Sequence, residues 1–370
     1  MKERNFRLNL ALIVLIALSV WWAKDRLNPY ILRVLNTAAI YIVAAVSYNL
    51  VNGVTGQFSL GPNAFMALGG FTVALLMLPL PQKEMVYFLQ PLIWPFNSFS
   101  LPQWLFGLSL ILAGLVATAG AFIVGVPCLR LRGDYLAIAT FGFGEIVIVL
   151  ANNAISITNG ALGIKGIPEY STLPWTVGCA VITVLFIRNL VNSSYGRAMK
   201  AIREDEVAAE AMGINLFRHK MLAFAVSAFF AGVSGGLLAT LITTVSPSLF
   251  MFTMTFNLLI IIVLGGLGSI TGSTVTAIIF AVLQELLREV EAPRTIGPIH
   301  IPGITGMRMI VFSIMLILLM LFYRRGLFGK GEASWDGLFA LPGRVREFFE
   351  RLRRKEVKSW TRTGIESHDQ

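Results

Sequence analysis

The 370-residue chain is 56% hydrophobic and only 14% charged, with a formal net charge of +10. A soluble globular domain is about 25% charged, so these charges cannot coat a water-facing surface, and the composition is that of a polytopic membrane protein. The positive excess does not point to nucleic acid: residues 324–370 alone hold eleven Lys/Arg and seven Asp/Glu, a tail suited to the cytoplasmic face of a membrane.

Taken in order, ten apolar stretches read as spans, at about 8–23, 31–51, 64–81, 104–127, 134–152, 172–191, 219–243, 254–270, 273–291 and 303–323. Lys2, Arg4 and Arg7 precede the first. That run meets Trp21, Trp22 and Lys24 rather than a small-residue cleavage site, so it reads as an uncleaved span. After the second span, Gly53-Val-Thr-Gly-Gln-Phe-Ser-Leu-Gly61 interrupts the helical pattern. The segment 82–103, rich in Pro91, Trp94, Pro95, Phe96, Phe99, Pro102 and Trp104, is expected to lie without regular structure along the outer interface, where Trp concentrates. It reads either as an interfacial loop or as a landing surface for an external partner.

Leu129-Arg-Leu-Arg-Gly-Asp134 opens the fifth span. Arg130 and Arg132 suit lipid phosphate, and Asp134 suits the positive end of a helix dipole. Eleven residues further on, Glu145 is the one carboxylate deep in an apolar span, about 16 Å in at 1.5 Å per residue. An acid at that depth is expensive and faces a cavity or a partner. It reads either as a structural pair or as a contact for a solute ammonium group. Gly142 and Gly144 beside it permit close helix packing.

Residues 196–215 break the apolar series. Ala198, Ala201, Ile202, Ala208, Ala209 and Met212 recur at helical steps and share a face. Arg197, Lys200, Arg203, Glu204, Asp205, Glu206 and Glu210 cover the other side, and Gly213 stands at a helix C-cap. The spacing predicts one charged helix strung between two spans, a lid on its own bundle or a docking peg for a soluble partner. A second interruption, Gly265-Gly-Leu-Gly-Ser-Ile-Thr-Gly272, divides the eighth and ninth spans. Paired glycine-rich interruptions point to a transport site and to an inverted repeat. The plainer reading is two ordinary cytoplasmic turns. The candidate path residues are therefore Asn49, Gly53, Thr55, Gly56, Gln57, Ser59, Gly61, Glu145, Gly265, Gly266, Gly268 and Ser269. Their hydroxyls and amides suit a small polar or zwitterionic solute. Arg308, at the start of the last span, reads as an interface anchor. In the tail, Val345, Phe348, Phe349 and Leu352 share one face of a basic amphipathic segment.

Cys128 and Cys179 are too few for a disulfide framework. His219, His300 and His368 have no ligand partner at metal spacing, so no metal site is read. No G-x-x-x-x-G-K-[ST] motif occurs, so ATP chemistry, where used, belongs to another chain. An even span count puts both termini on one side. Arg130, Arg132, Arg197, Lys200, Arg203, Arg218, Lys220 and the tail lie on that side, against Lys24, Arg26, Lys83, Lys165 and Arg294 opposite. The positive-inside rule makes it the cytoplasm.

The 196–215 stretch, Asn49–Gly61, Leu129–Glu145 and Val263-Leu-Gly-Gly-Leu-Gly-Ser269 occur in the order found in permease subunits of LivM-type ATP-driven branched-chain amino-acid importers, which the chain resembles over roughly 30–330. The resemblance implies an all-α transmembrane permease over 1–323, with a cytoplasmic coupling loop at 192–218 and a cytoplasmic tail at 324–370. It implies about ten helices in two inverted halves around a central path. It makes Arg197, Lys200, Arg203, Glu204, Glu206 and Gly213 the ATPase-coupling candidates. The implied partners are a sister LivH-type permease, two cytoplasmic ATPases and a periplasmic solute-binding protein in the bacterial inner membrane. The implied substrates are branched-chain or broader neutral amino acids, with no bond chemistry and no cofactor in this chain. Urea or short-amide permeases share the membrane pattern. An ion-coupled secondary transporter would predict several buried acids, and the spans hold essentially one. An integral membrane enzyme would need convergent catalytic groups, and none is visible.

Overall fold

In hydrocarbon every backbone polar group must pair within the chain, so long apolar runs become helices. The computed structural model describes residues 11, 14–23, 26–88, 90–129, 135–291, 294–296, 299–301, 306–322, 326–327, 329 and 332. Its helices are α1 (Val14–Ala23), α2 (Pro29–Asn49), α3 (Pro62–Met77), α4 (Leu80–Val86), α5 (Phe106–Cys128), α6 (Tyr135–Asn153) and α7 (Ile155–Thr158). They continue with α8 (Leu173–Asn192), α9 (Ser194–Glu204), α10 (Glu206–Ala211), α11 (Leu216–Ile242), α12 (Phe252–Gly265), α13 (Ile270–Glu291) and α14 (Met307–Phe322). Two short antiparallel pairs, β1 (Ile164–Lys165) with β2 (Thr244–Val245) and β3 (Arg294–Ile296) with β4 (Ile299–Ile301), close loops. These elements lie in one compact unit, residues 12–330, while the second unit, residues 1–11 and 331–370, is almost wholly outside the described residues.

Each of the ten expected spans carries an apolar helix, and seven are long and apolar enough to cross a membrane by themselves. The third span is shorter than expected. Pro79 cannot continue a helix, and the chain turns by 120° between α3 and α4. The segment 82–103 is also more ordered than expected. Lys83 is buried and its Nζ donates to the carbonyls of Phe96 and Phe99, 2.7 Å each, so one side chain pins the aromatic loop. Burial brings the Lys83 ammonium down to about 8. The tail, Arg130, Arg132, Asp134 and the Arg308 side chain lie outside the described residues.

The centre is α2, α3 and α11. α11 packs on α3 and α5, and α2 packs on α13, α8 and α11. At two crossings between α3 and α11 the contact is backbone on backbone: a Cβ on Gly69 would sit 2.0 Å from the Gly232 carbonyl oxygen, and one on Gly235 1.9 Å from that of Met66. α2 and α8 run parallel. Thr176 Oγ1 donates to Asn36 Oδ1 (2.7 Å) near their starts, and the turn Leu50–Val54 that follows α2 packs on α9, which continues from α8.

Candidate functional site

The first interruption begins inside α2. After Asn49 the helix widens into a π-turn, Leu50–Val54, and the amide of Thr55 reaches back to the Leu50 carbonyl (3.1 Å). Gly56 then takes φ +73, open cheaply only to glycine. The loop is tied to its own helix: Tyr48 Oη donates to the Ser59 carbonyl (2.6 Å), and Asn52 Oδ1 accepts from the Ser59 amide (3.2 Å). The Leu60 amide donates to Thr140 Oγ1 (3.0 Å), fixing the loop to α6. Pro62 then starts α3 at a position where its missing N–H costs nothing.

The second interruption is tighter. α12 ends at Gly265, Gly266 and Gly268 take φ +106 and +89, and Ser269 Oγ caps α13 by accepting from the Gly272 amide (3.0 Å). The two interruptions meet. Asn49 Nδ2 donates to the Ser269 carbonyl (2.9 Å) and to Ser273 Oγ (2.8 Å), and Asn49 Oδ1 accepts from the Gly268 amide (2.9 Å). A Cβ on Gly53 would fall 2.2 Å from the Gly268 nitrogen, so only glycine lets the backbones approach.

The charged connector reaches this junction. It is two helices, not the single one its periodicity predicts. Asp205 is extended (φ −159) and its Oδ1 accepts from the amides of Val207 (2.8 Å) and Ala208 (3.0 Å), capping α10. A capping aspartate offers the backbone an alternative to continuing a helix. Gly213 stops α10 with φ +78. From α9, Arg203 turns inward: its Nη1 donates to the Gly53 carbonyl (2.9 Å), its stem covers Gly56, and its Nη1 also flanks Gly268. Its Nη2 pairs with Glu204 (2.6 Å). Glu206 pairs with the buried Lys220 of α11 (2.5 Å), so Glu204 and Glu206 are both bound within the chain. Lys200, Arg197 and Glu210 remain exposed. Met212, expected on the shared apolar face, is instead 83% exposed, and Val207 is 70% exposed.

Both interruptions therefore lie at the connector end, where α2 and α12 both terminate. Most candidate path polar groups are already engaged: Thr55 Oγ1 donates to the Leu50 carbonyl (2.9 Å), and Asn49, Ser59 and Ser269 bond as described. Gln57 differs. It is buried, and neither polar side-chain atom has a partner among the described residues.

Glu145 stands apart from this junction, about 15 Å along α6 from Tyr135. It has no hydrogen bond or ion pair among the described residues, and exposed Ile138, Phe141, Ile146 and Val149 surround it on the open side of α6. Among the described residues nothing lies against Gly142 beside it, while Gly144 packs on Asn63, whose Oδ1 is buried without a partner there. Among the described residues no cluster could hold a metal ion.

The sequence reading missed Tyr48, Asn52, Thr140, Ser273 and Lys220. Asn49 and Asn52, both just before Gly53, were the available signal, since amides in an apolar helix need partners.

A family profile described as the branched-chain amino acid transport system / permease component matches residues 30–320. The chain is 34% identical over 314 residues to the high-affinity branched-chain amino acid transport system permease protein LivM of Escherichia coli, an alignment covering 76% of this chain and 68% of that one. It is 35% identical over 284 residues to the protein of that name from Salmonella typhimurium, covering 68% and 62%. It is 29% identical over 158 residues to the permease protein LivH of Salmonella typhimurium, covering 37% and 50%. The matches thus span about two thirds of the length of the two LivM relatives.

Proposed function

The chain belongs to the branched-chain amino acid transport permease family, and from that premise we propose that it forms one half of a membrane path for branched-chain amino acids. It is the membrane-spanning permease subunit of an amino-acid importer of the ATP-binding-cassette class. The other half is a sister permease of the LivH kind, a pairing supported by the similarity to both LivM and LivH. Two cytoplasmic ATPases and an external solute-binding protein complete the assembly in a bacterial inner membrane, with both termini of this chain cytoplasmic. All bond chemistry lies in the ATPases.

The observation that carries the reading is the union of the connector with both interruptions, Arg203 on Gly53 and Gly268 on Asn49. Closure of the ATPase pair moves α9 and α10. Exposed Met212 and Val207, apolar residues on an otherwise charged surface, are the contact that receives it. The movement passes into α8, α11 and the junction, and the path changes the side to which it opens. Glu145 serves the path: a carboxylate at mid-depth on an open helix face cannot face lipid cheaply, and a solute ammonium group complements it.

The test is uptake of labelled leucine by the complete transporter in proteoliposomes. Isoleucine and valine should compete, urea should not, and uptake should require ATP. Competition by urea alone would make this an amide permease. Uptake that survives ATP depletion and collapses with an ion gradient would make it a secondary transporter. In the same assay Glu145→Gln should slow uptake per assembled complex; an unchanged rate removes Glu145 from the path.

A further inference from the structure

We infer that Arg203 is the positioning residue through which the connector controls both glycine-rich interruptions at once, and that it is not a docking residue for the ATPase. The inference rests on α9–α10 being the coupling element and adds which side chain passes the movement on.

Three observations converge on it. First, Arg203 turns away from solvent although its helix is otherwise charged outward: its side chain is 23% exposed, against 64% for Glu204. Second, its guanidinium touches both loops, donating to the Gly53 carbonyl at 2.9 Å and standing where a Cβ on Gly268 would come within 3.0 Å of Nη1. Third, the glycines are shaped around it. A Cβ on Gly56 would lie 2.6 Å from Arg203 Cγ, so the stem occupies the space a side chain would need. Arginine suits the role: it stays charged, and its rigid fork can hold a carbonyl and a carboxylate together. Here the fork holds the Gly53 carbonyl and Glu204. Asn49 already joins the two interruptions. A rotation of α9 therefore pulls on one joined body rather than on two separate loops.

The consequence is a specific failure. Without the guanidinium the ATPases still dock on the exposed side of α10 and still hydrolyse ATP, but the inner ends of α2 and α12 no longer follow.

The experiment uses the complete importer in proteoliposomes and measures co-purified ATPase, ATP hydrolysis and leucine uptake together. Arg203→Gln should retain ATPase association and hydrolysis while uptake per ATP hydrolysed falls about tenfold, within the usual range for coupling between sites. Arg203→Lys, a compact ammonium without the planar fork on a similar stem, should recover part of the loss. An unchanged ratio of uptake to hydrolysis in Arg203→Gln overturns the proposal, and so does loss of ATPase from the complex, which would make Arg203 a docking residue. Arg203→Met keeps the stem over Gly56 and is the second variant if Arg203→Gln is poorly recovered. If neither assembles at the parent level, the residue pins the fold and the proposal fails. Met212→Asp separates the two ideas. If it keeps its ATPase and its uptake, the coupling assignment of α10 is wrong whatever Arg203 does.

Discussion

Lys83 shows how one side chain can organise a loop that composition alone leaves shapeless. Its ammonium replaces water with two carbonyls, and the Phe99 ring lies 5.5 Å beneath it. Because burial depresses its proton affinity from 10.5 to about 8, the unfolded loop binds more protons than the folded one between those values. Local stability should therefore rise as pH increases from about 8 to 10.5 and show no such gain below 8. Hydrogen exchange of residues 90–101, corrected for intrinsic rates, should show protection increasing across that window. Lys83→Met should abolish the increase and lower protection at every pH, since two carbonyls lose their donor. Protection that falls or stays level in the parent across the window would refute the assignment. No sequence pattern announced this pin. A lone lysine near aromatics is ordinary surface, and only the fold of the loop over it makes it a core residue.

At the level of elements, the connector separates what periodicity reveals from what it hides. The apolar spacing of Ala201, Ile202 and Ala209 located a helical connector, and Gly213 marked its end, φ +78. The division at Asp205 was hidden because an aspartate within a charged run reads as surface until its carboxylate is seen bound to the amides of Val207 and Ala208. Asp205→Ala should remove that cap at a cost of about 1 kcal/mol and favour one continuous helix. Amides of Val207 and Ala208 should then exchange faster, and uptake should drop several-fold in assembled importer; unchanged exchange at both would show that the cap is dispensable. The glycine interruptions were likewise legible as interruptions. Their meeting was not, because it depends on Asn49 reaching Ser269 across 220 positions of sequence, a register that helix packing sets. The ten helices were legible because hydrocarbon admits little else; the kink at Pro79 and the polar stitches were not, because they answer to neighbours.

For the whole molecule, charge asymmetry and connector placement are the grounds for the proposed orientation. A cytoplasm-active reporter inserted at Glu210 should be active and the same reporter at Asn97 silent; the reverse pattern would invert the topology and detach α9–α10 from any ATP-driven partner. The backbone seam between α3 and α11 then takes on a further meaning. Where Gly69 meets Gly232 and Gly235 meets Met66, backbone lies on backbone with no side chain between, and Phe65 packs edge-on against Phe224 further along the same seam, so the two helices are expected to move together. α11 starts just after the connector, at Leu216, and runs 27 residues to Ile242, a length of about 40 Å. Its far end joins β2, which is zipped to β1. A displacement at the connector is thus expected to reach the far end of α11 mainly through backbone contacts. On the proposed topology, the external mouth would learn of events at the inner one through the stiffness of one glycine-jointed strut.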